Sequence, residues 1–123
     1  MPEAIKREAK FFKDSDESEP VKEWLADLKS KRKQVEASKI ESRISRASQG
    51  NFGNHRFLAG GLGELKIEYG TGYRVYFGLD GDKFVILLSG GTKENQQEDI
   101  KLAELRWKQY LDEKSKETKN GKQ

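Results

Sequence analysis

The stretch GYRVYFGLDGDKFVILLSGG, residues 72–91, constrains the fold of this chain more than any other part of it. Two runs of β-branched and aromatic residues flank Asp80, Gly81 and Asp82, and a glycine there supplies the positive φ of a tight hairpin turn. Alternate side chains of a strand point to opposite faces. Tyr73, Val75, Phe77 and Leu79 are therefore expected on one face, and Arg74, Tyr76 and Gly78 on the other. The first face is core. The second is polar and aromatic, and Arg74 on it is either a solvated strand residue or the centre of an anion-binding surface.

The hairpin extends backwards through Gly70, Thr71 and Gly72 to a third strand, ELKIEY, which gives a three-stranded antiparallel meander. Before it, GNFGNHRFLAGGLG has five glycines in fourteen residues and is expected to be a loop. At the start of the chain, IKREAKFFK, residues 5–13, suits a first strand, and DSDESEP supplies helix-capping candidates before Pro20 in a first helical turn. Val21, Trp24, Leu25 and Leu28 then follow amphipathic helix spacing. In a second helix Ala37, Ile40, Ile44 and Ala47 form an apolar stripe that Gly50 ends. After the meander, Asn95 with Glu98 suits the start of a last helix, with Ile100, Ala103, Trp107 and Leu111 as its buried stripe. The expected architecture is a single α+β domain over residues 1–111. It has a small antiparallel sheet, two N-terminal helices packed on one face of it, a C-terminal helix, and a frayed polar tail over residues 112–123.

Composition narrows the chemistry. The chain has no cysteine and one histidine, His55, which excludes disulfides, thiolate nucleophiles and histidine-rich metal sites; neither metal nor cofactor is expected. Charged residues make up 37% of the chain, and 24 Lys and Arg against 21 Asp and Glu nearly cancel, so the placement of charge matters more than its sum. The longest strongly apolar run, Phe84 to Leu88, is far too short to span a bilayer, and residues 1–14 lack the apolar stretch of a signal peptide. A cytoplasmic protein without membrane contact is expected.

The segments GNFGNHRFLAGGLGELKIEYGTGYRVYF and LLSGGTKENQQEDIKLAELRW together resemble the RelE/ParE superfamily of toxins from type II toxin-antitoxin systems, and more narrowly its phage Gp49-like, HigB-related addiction module killer branch. The most specific parts are GNFG, GYRVYF and the run GGTKENQQEDI. The resemblance implies a RelE-like domain that cleaves mRNA on the ribosome without a metal. It also implies a partner, a cognate antitoxin of helix-turn-helix type that neutralises the toxin in a hetero-oligomer. Members similar to ParE poison DNA gyrase instead, and a degenerate member would bind its antitoxin without catalysis; the resemblance leaves these alternatives open. Arg74 falls on the arginine of the family's strand motif, Lys66 stands near its basic strand residues, and Lys93 fits a cation that follows the last strand.

Metal-free RNA cleavage needs a base for the ribose 2′-OH, cations for the developing phosphorane charge and an acid for the departing 5′-oxygen. Arg74 suits the phosphate, because its planar fork matches phosphate oxygens. Lys66 is the candidate base and Lys93 a second phosphate cation, the alternative for each being a solvated lysine. His55, between Asn54 and Arg56, is either an acid–base group or a polar loop residue. Tyr69 and Tyr76 can stack a base, and Arg56 in the glycine-rich loop is a further substrate-binding candidate. Gln96 and Asp99 either read a base edge and orient a lysine or simply favour the helix start. Lys31, Arg32, Lys33, Lys39, Arg43 and Arg46 suit RNA or an acidic partner, although Glu36 and Glu41 also fit an ordinary solvated helix face.

Overall fold

The computed structural model describes residues 4–121, with side chains to Glu117. The elements run β1 (Glu8–Phe11), α1 (Pro20–Ser30), α2 (Gln34–Ser48), β2 (His55–Phe57), β3 (Leu62–Ile67), β4 (Tyr73–Asp80), β5 (Phe84–Thr92) and α3 (Gln96–Gly121). The five strands form one sheet in the order β1-β5-β4-β3-β2. The expected meander is present as β3-β4-β5, with antiparallel pairing throughout.

The sheet is mixed rather than antiparallel, because β1 runs parallel to β5, with Glu8 opposite Phe84 and Phe11 opposite Leu87. The two helices after β1 carry the chain across the sheet, so the first strand ends up beside the last. The glycine-rich segment is not wholly a loop either. His55–Phe57 pairs with β3, and this three-residue strand is too short to announce itself by alternation.

Helices cover both faces of the sheet, where the sequence suggested one. On one face Val21, Leu25 and Leu28 of α1 and Ala37, Ile40, Ile44 and Ala47 of α2 pack on Leu65, Ile67, Tyr73, Val75, Phe77, Val85 and Leu87. On the other, Ala103 and Trp107 of α3 pack with Leu62, Tyr76, Ile86, Leu88 and Phe12. A strand buried on both sides reads as a continuous apolar run, which is what Phe84 to Leu88 is. A bulge between Tyr76 and Phe77 leaves Leu88 without a partner in β4, so that Leu88 and Ser89 both face α3. Aromatic rings lie flat on the sheet at glycines. A Cβ on Gly78 would stand 2.5 Å from the Trp107 ring, and one on Gly90 would stand 2.4 Å from Trp24.

Gly50, at φ 94°, follows the end of α2 as expected, but other helix starts and ends depart from the expected capping. Asn95 lies in a 3-10 turn, Lys93–Asn95, and its amide donates to Asp99 Oδ1 at 3.3 Å instead of opening the helix. Glu19 precedes α1 and donates its N–H to the Glu23 carboxylate at 3.0 Å, with Pro20 in the first turn as expected. Leu111 is exposed rather than buried, and the segment read as a frayed tail continues α3 to Gly121. That extension is anchored at Asp80, which accepts hydrogen bonds from the Tyr110 hydroxyl and the Lys114 ammonium. Among the described residues, no helix is long and apolar enough to cross a membrane.

Candidate functional site

Arg74 in β4 stands opposite Lys66 in β3 and Gly91 in β5, on the face covered by the first turn of α3. It is not the open strand cation that alternation suggested: only 5% of the residue is exposed. Its Nη1 donates to Tyr73 O at 2.9 Å, its Nη2 lies 3.2 Å from the Glu68 carboxylate, and its Nε has no hydrogen-bond partner among the described residues. Alternation fixes which face a strand residue takes. It is silent on whether a helix from elsewhere in the chain covers that face.

Next to Arg74 on the same face is Glu64, which the sequence reading passed over. Its side chain is fully buried, and it accepts hydrogen bonds from Arg56 Nε at 2.6 Å and Gln96 Nε2 at 2.8 Å. Burial alone would raise its pKa. The hydrogen bonds it receives and the Arg56 charge outweigh that and hold Glu64 below the ordinary carboxylate value. Tyr76 is its cross-strand partner and is itself fully buried, so it offers no ring for stacking a base. Burial, followed by the neighbouring Glu64 carboxylate, pushes the Tyr76 hydroxyl pKa far up. In the sequence, Glu64, Lys66 and Glu68 alternate with apolar residues and read as a solvated strand face; only the docking of α3 distinguishes Glu64 from the other two.

The start of α3 completes the group. Asp99 is 5% exposed; its Oδ1 accepts from Asn95, its Oδ2 packs against Gly91 with no hydrogen-bond partner among the described residues, and its main-chain carbonyl accepts from the Ser89 hydroxyl at 2.7 Å. A Cβ on Gly91 would stand 2.1 Å from Asp99 Oδ2, so the glycine admits the carboxyl group to the sheet. Burial raises the Asp99 pKa. Lys93 is exposed and crosses Gly72, to whose carbonyl its N–H donates at 3.1 Å. Lys66 is half-buried.

The structure thus brings Arg56, Lys66, Arg74, Tyr76, Lys93, Gln96 and Asp99 to one side of the sheet, around Glu64. Two of the sequence candidates lie elsewhere. His55 is paired with Leu65 and therefore projects to the α1–α2 face, where its ring meets Phe52 and Phe57 and its Nδ1 lies 2.7 Å from Gly53 O. Tyr69 turns toward α2, with Lys39 Nζ 4.7 Å from its ring centroid. The site itself is a rim of cations, Lys66, Lys93 and Arg56, over a buried arginine and two buried carboxyl groups. Lys66 and Lys93 place positive charge at its edge, whereas the Arg56 charge is met by Glu64. No group of three or more metal-ligating side chains is present among the described residues.

Fold and site together define a small mixed α+β domain with a cation-rimmed polar site between its sheet and the start of its C-terminal helix. No family model matches the sequence. Over 82 residues, covering 67% of this chain and 80% of the relative, the sequence is 45% identical to a Haemophilus influenzae protein described as an uncharacterized protein. The chain belongs to the same family as that protein.

Proposed function

We propose that the chain is a RelE-like toxin of a type II toxin-antitoxin module, acting in the cytoplasm as a metal-independent, ribosome-dependent mRNA endoribonuclease. A helix-turn-helix antitoxin holds it inactive in a hetero-oligomer. The observation that carries this reading is the register of the sheet: Lys66 stands directly opposite Arg74, and Lys93 follows the strand that flanks Arg74 on its other side. Three cations on one side of a rigid sheet suit a reaction whose transition state concentrates charge on a phosphorane. The 2′-oxygen gives its proton to a base as it attacks phosphorus, and the 5′-oxygen leaves taking a proton from water. Lys66 is the base in reach of the 2′-OH, Lys93 meets the phosphate from the surface, and Arg74 acts from beneath as a fixed charge.

The burial of Arg74 and its pairing with Glu68 favour a second reading, a non-catalytic family member that only binds its protein partner. The test is induced expression with mapping of transcript 5′ ends, run beside a gyrase supercoiling assay on the purified protein. Codon-phased cuts are expected. Gyrase inhibition without cuts would assign a ParE-like activity, and neither effect would leave the partner-binding reading.

A further inference from the structure

On the opposite side of the β3–β4 turn from the cation-rimmed site, a cleft of about 260 Å³ lies between α2 and the end of β3. Lys39, Ser42, Arg43 and Arg46 line it from α2, and Glu68 and Tyr69 from the strand end. The α2 residues recur at helical spacing and share one face, which crowds like charges and by itself disfavours the helix.

Lys39 stands over one face of the Tyr69 ring, its Nζ 4.7 Å from the centroid, and among the described residues Arg43 alone of these cations is fixed by hydrogen bonds. Arg43 donates to the main-chain carbonyls of Lys66, Phe52 and Asn54 at 2.5, 2.8 and 2.9 Å, fastening the glycine-rich segment to the sheet. Its partners are carbonyls, so its charge is not neutralised; burial, and then repulsion from Arg46, lower its pKa. Among the described residues neither Lys39 nor Arg46 forms an ion pair, and the one carboxylate lining the cleft, Glu68, is already engaged with Arg74. Tyr69, a residue 37% exposed, adds an aromatic ring. Three cations against the single carboxylate of Glu68, next to a partly exposed aromatic ring, match a nucleotide better than a peptide. The cations meet phosphate, and the ring offers a stacking surface for a base of any identity.

We infer that this cleft is a second subsite for single-stranded RNA, with a base on Tyr69 and the adjoining backbone phosphates on Lys39 and Arg46. It deepens the proposed function and rests on that reading for its place on the path of the substrate. Glu68 joins the two sites, since it lines the cleft and also holds Arg74. A strand leaving the Lys66–Lys93 rim over the β3–β4 turn would enter the cleft past this carboxylate.

The test uses the whole chain and a 5′-labelled, unstructured RNA 12-mer, with affinity read by fluorescence anisotropy over a series of salt concentrations and no ribosome present. Tyr69→Ala is expected to weaken binding about 5- to 100-fold, while Tyr69→Phe, which keeps the ring, binds as the unmodified protein does. Lys39→Ala combined with Arg46→Ala is expected to lower the slope of log affinity against log salt by about 0.7 for each phosphate left without its cation. These side chains lie at the surface, so circular dichroism should report an unchanged fold. Weakened binding in a chain that never cuts mRNA would keep the subsite and remove the ribonuclease reading. Codon-phased cutting with wild-type RNA affinity in the cleft variants would remove the subsite alone. Failure of the unmodified chain to bind the RNA, or variants that lose affinity for a polyglutamate probe while keeping it for RNA, would overturn the inference, the latter assigning the cleft to an acidic protein partner.

Discussion

Arg74 Nη2 lies 3.2 Å from Glu68 Oε1, and the two ends of this ion pair differ sharply in surroundings: the arginine side chain is 6% exposed and the glutamate 55%. The glutamate is therefore the displaceable partner, because a half-solvated carboxylate is held only weakly.

The first consequence concerns Arg74 itself. Arg74→Met keeps much of the side-chain volume and should preserve cooperative unfolding, since Glu68 is left in solvent rather than stranded in the core. Arg74→Ala should cost about 2 kcal/mol through the void beneath α3. If the proposed function holds, both variants lose mRNA cleavage by about 100-fold or more, the scale for removing a preorganised charge at a transition state. Urea unfolding beside single-turnover cleavage separates the two effects. A folded Arg74→Met protein with full activity would remove Arg74 from the reaction.

Glu64 and Asp99 should give opposite pH signatures. Glu64 has a depressed pKa when folded, so its contribution is present above its unfolded pKa and is lost as the pH falls through the folded value. Asp99 has a raised pKa when folded, so its ionised form costs stability above that value and the cost disappears in acid. Glu64→Gln should therefore be less stable than the unmodified protein at pH 7, with the difference shrinking toward pH 2. Asp99→Asn should match or exceed the unmodified protein at pH 7 and lose any advantage in acid. Thermal melts across this pH range check both signs.

Lys66 and Lys93 differ in surroundings and should differ in replaceability. Lys93 is exposed beside Gly72, where arginine has room, so under the proposed function Lys93→Arg should retain most RNA cleavage while Lys93→Ala slows it. Lys66 is half-buried in the ladder opposite Arg74, and a fixed guanidinium cannot take up a proton, so Lys66→Arg should fail if Lys66 is the base. Equal activity of Lys66→Arg and the unmodified chain in ribosome-bound cleavage would assign the base elsewhere.

Gly78 is a structural position with no part in the proposed chemistry. The Trp107 ring occupies the space a Cβ would need, so Gly78→Ala must push α3 away from β4. A loss of about 1 to 3 kcal/mol is expected by denaturant unfolding, the usual scale for overpacking. A wild-type midpoint would mean that α3 docks less tightly than the close approach of the ring implies.

Local sequence was enough to set most of the helices and strands and their apolar stripes, though not β2, the far end of α3 or the exposure of Leu111, because periods of 3.6 and 2 are properties of the backbone alone. Val21, Leu25 and Leu28, Ala37, Ile40, Ile44 and Ala47, and the Tyr73, Val75 and Phe77 face all lie in the core that their spacing indicated. The hairpin turns at Gly70–Gly72 and Gly81 follow from the positive φ that glycine takes there. Tertiary structure alone decided what covers each face. Alternation put Arg74, Tyr76 and Glu64 on one side of the sheet, but their burial depends on α3 folding back from a different part of the chain, and β1 reaches β5 only by a long-range parallel pairing. The same distinction governs the site. The family resemblance marked Lys66, Arg74 and Lys93 as candidates, whereas strand register excluded His55 from their face and helix docking brought in Glu64, since neither is written in any local window of residues.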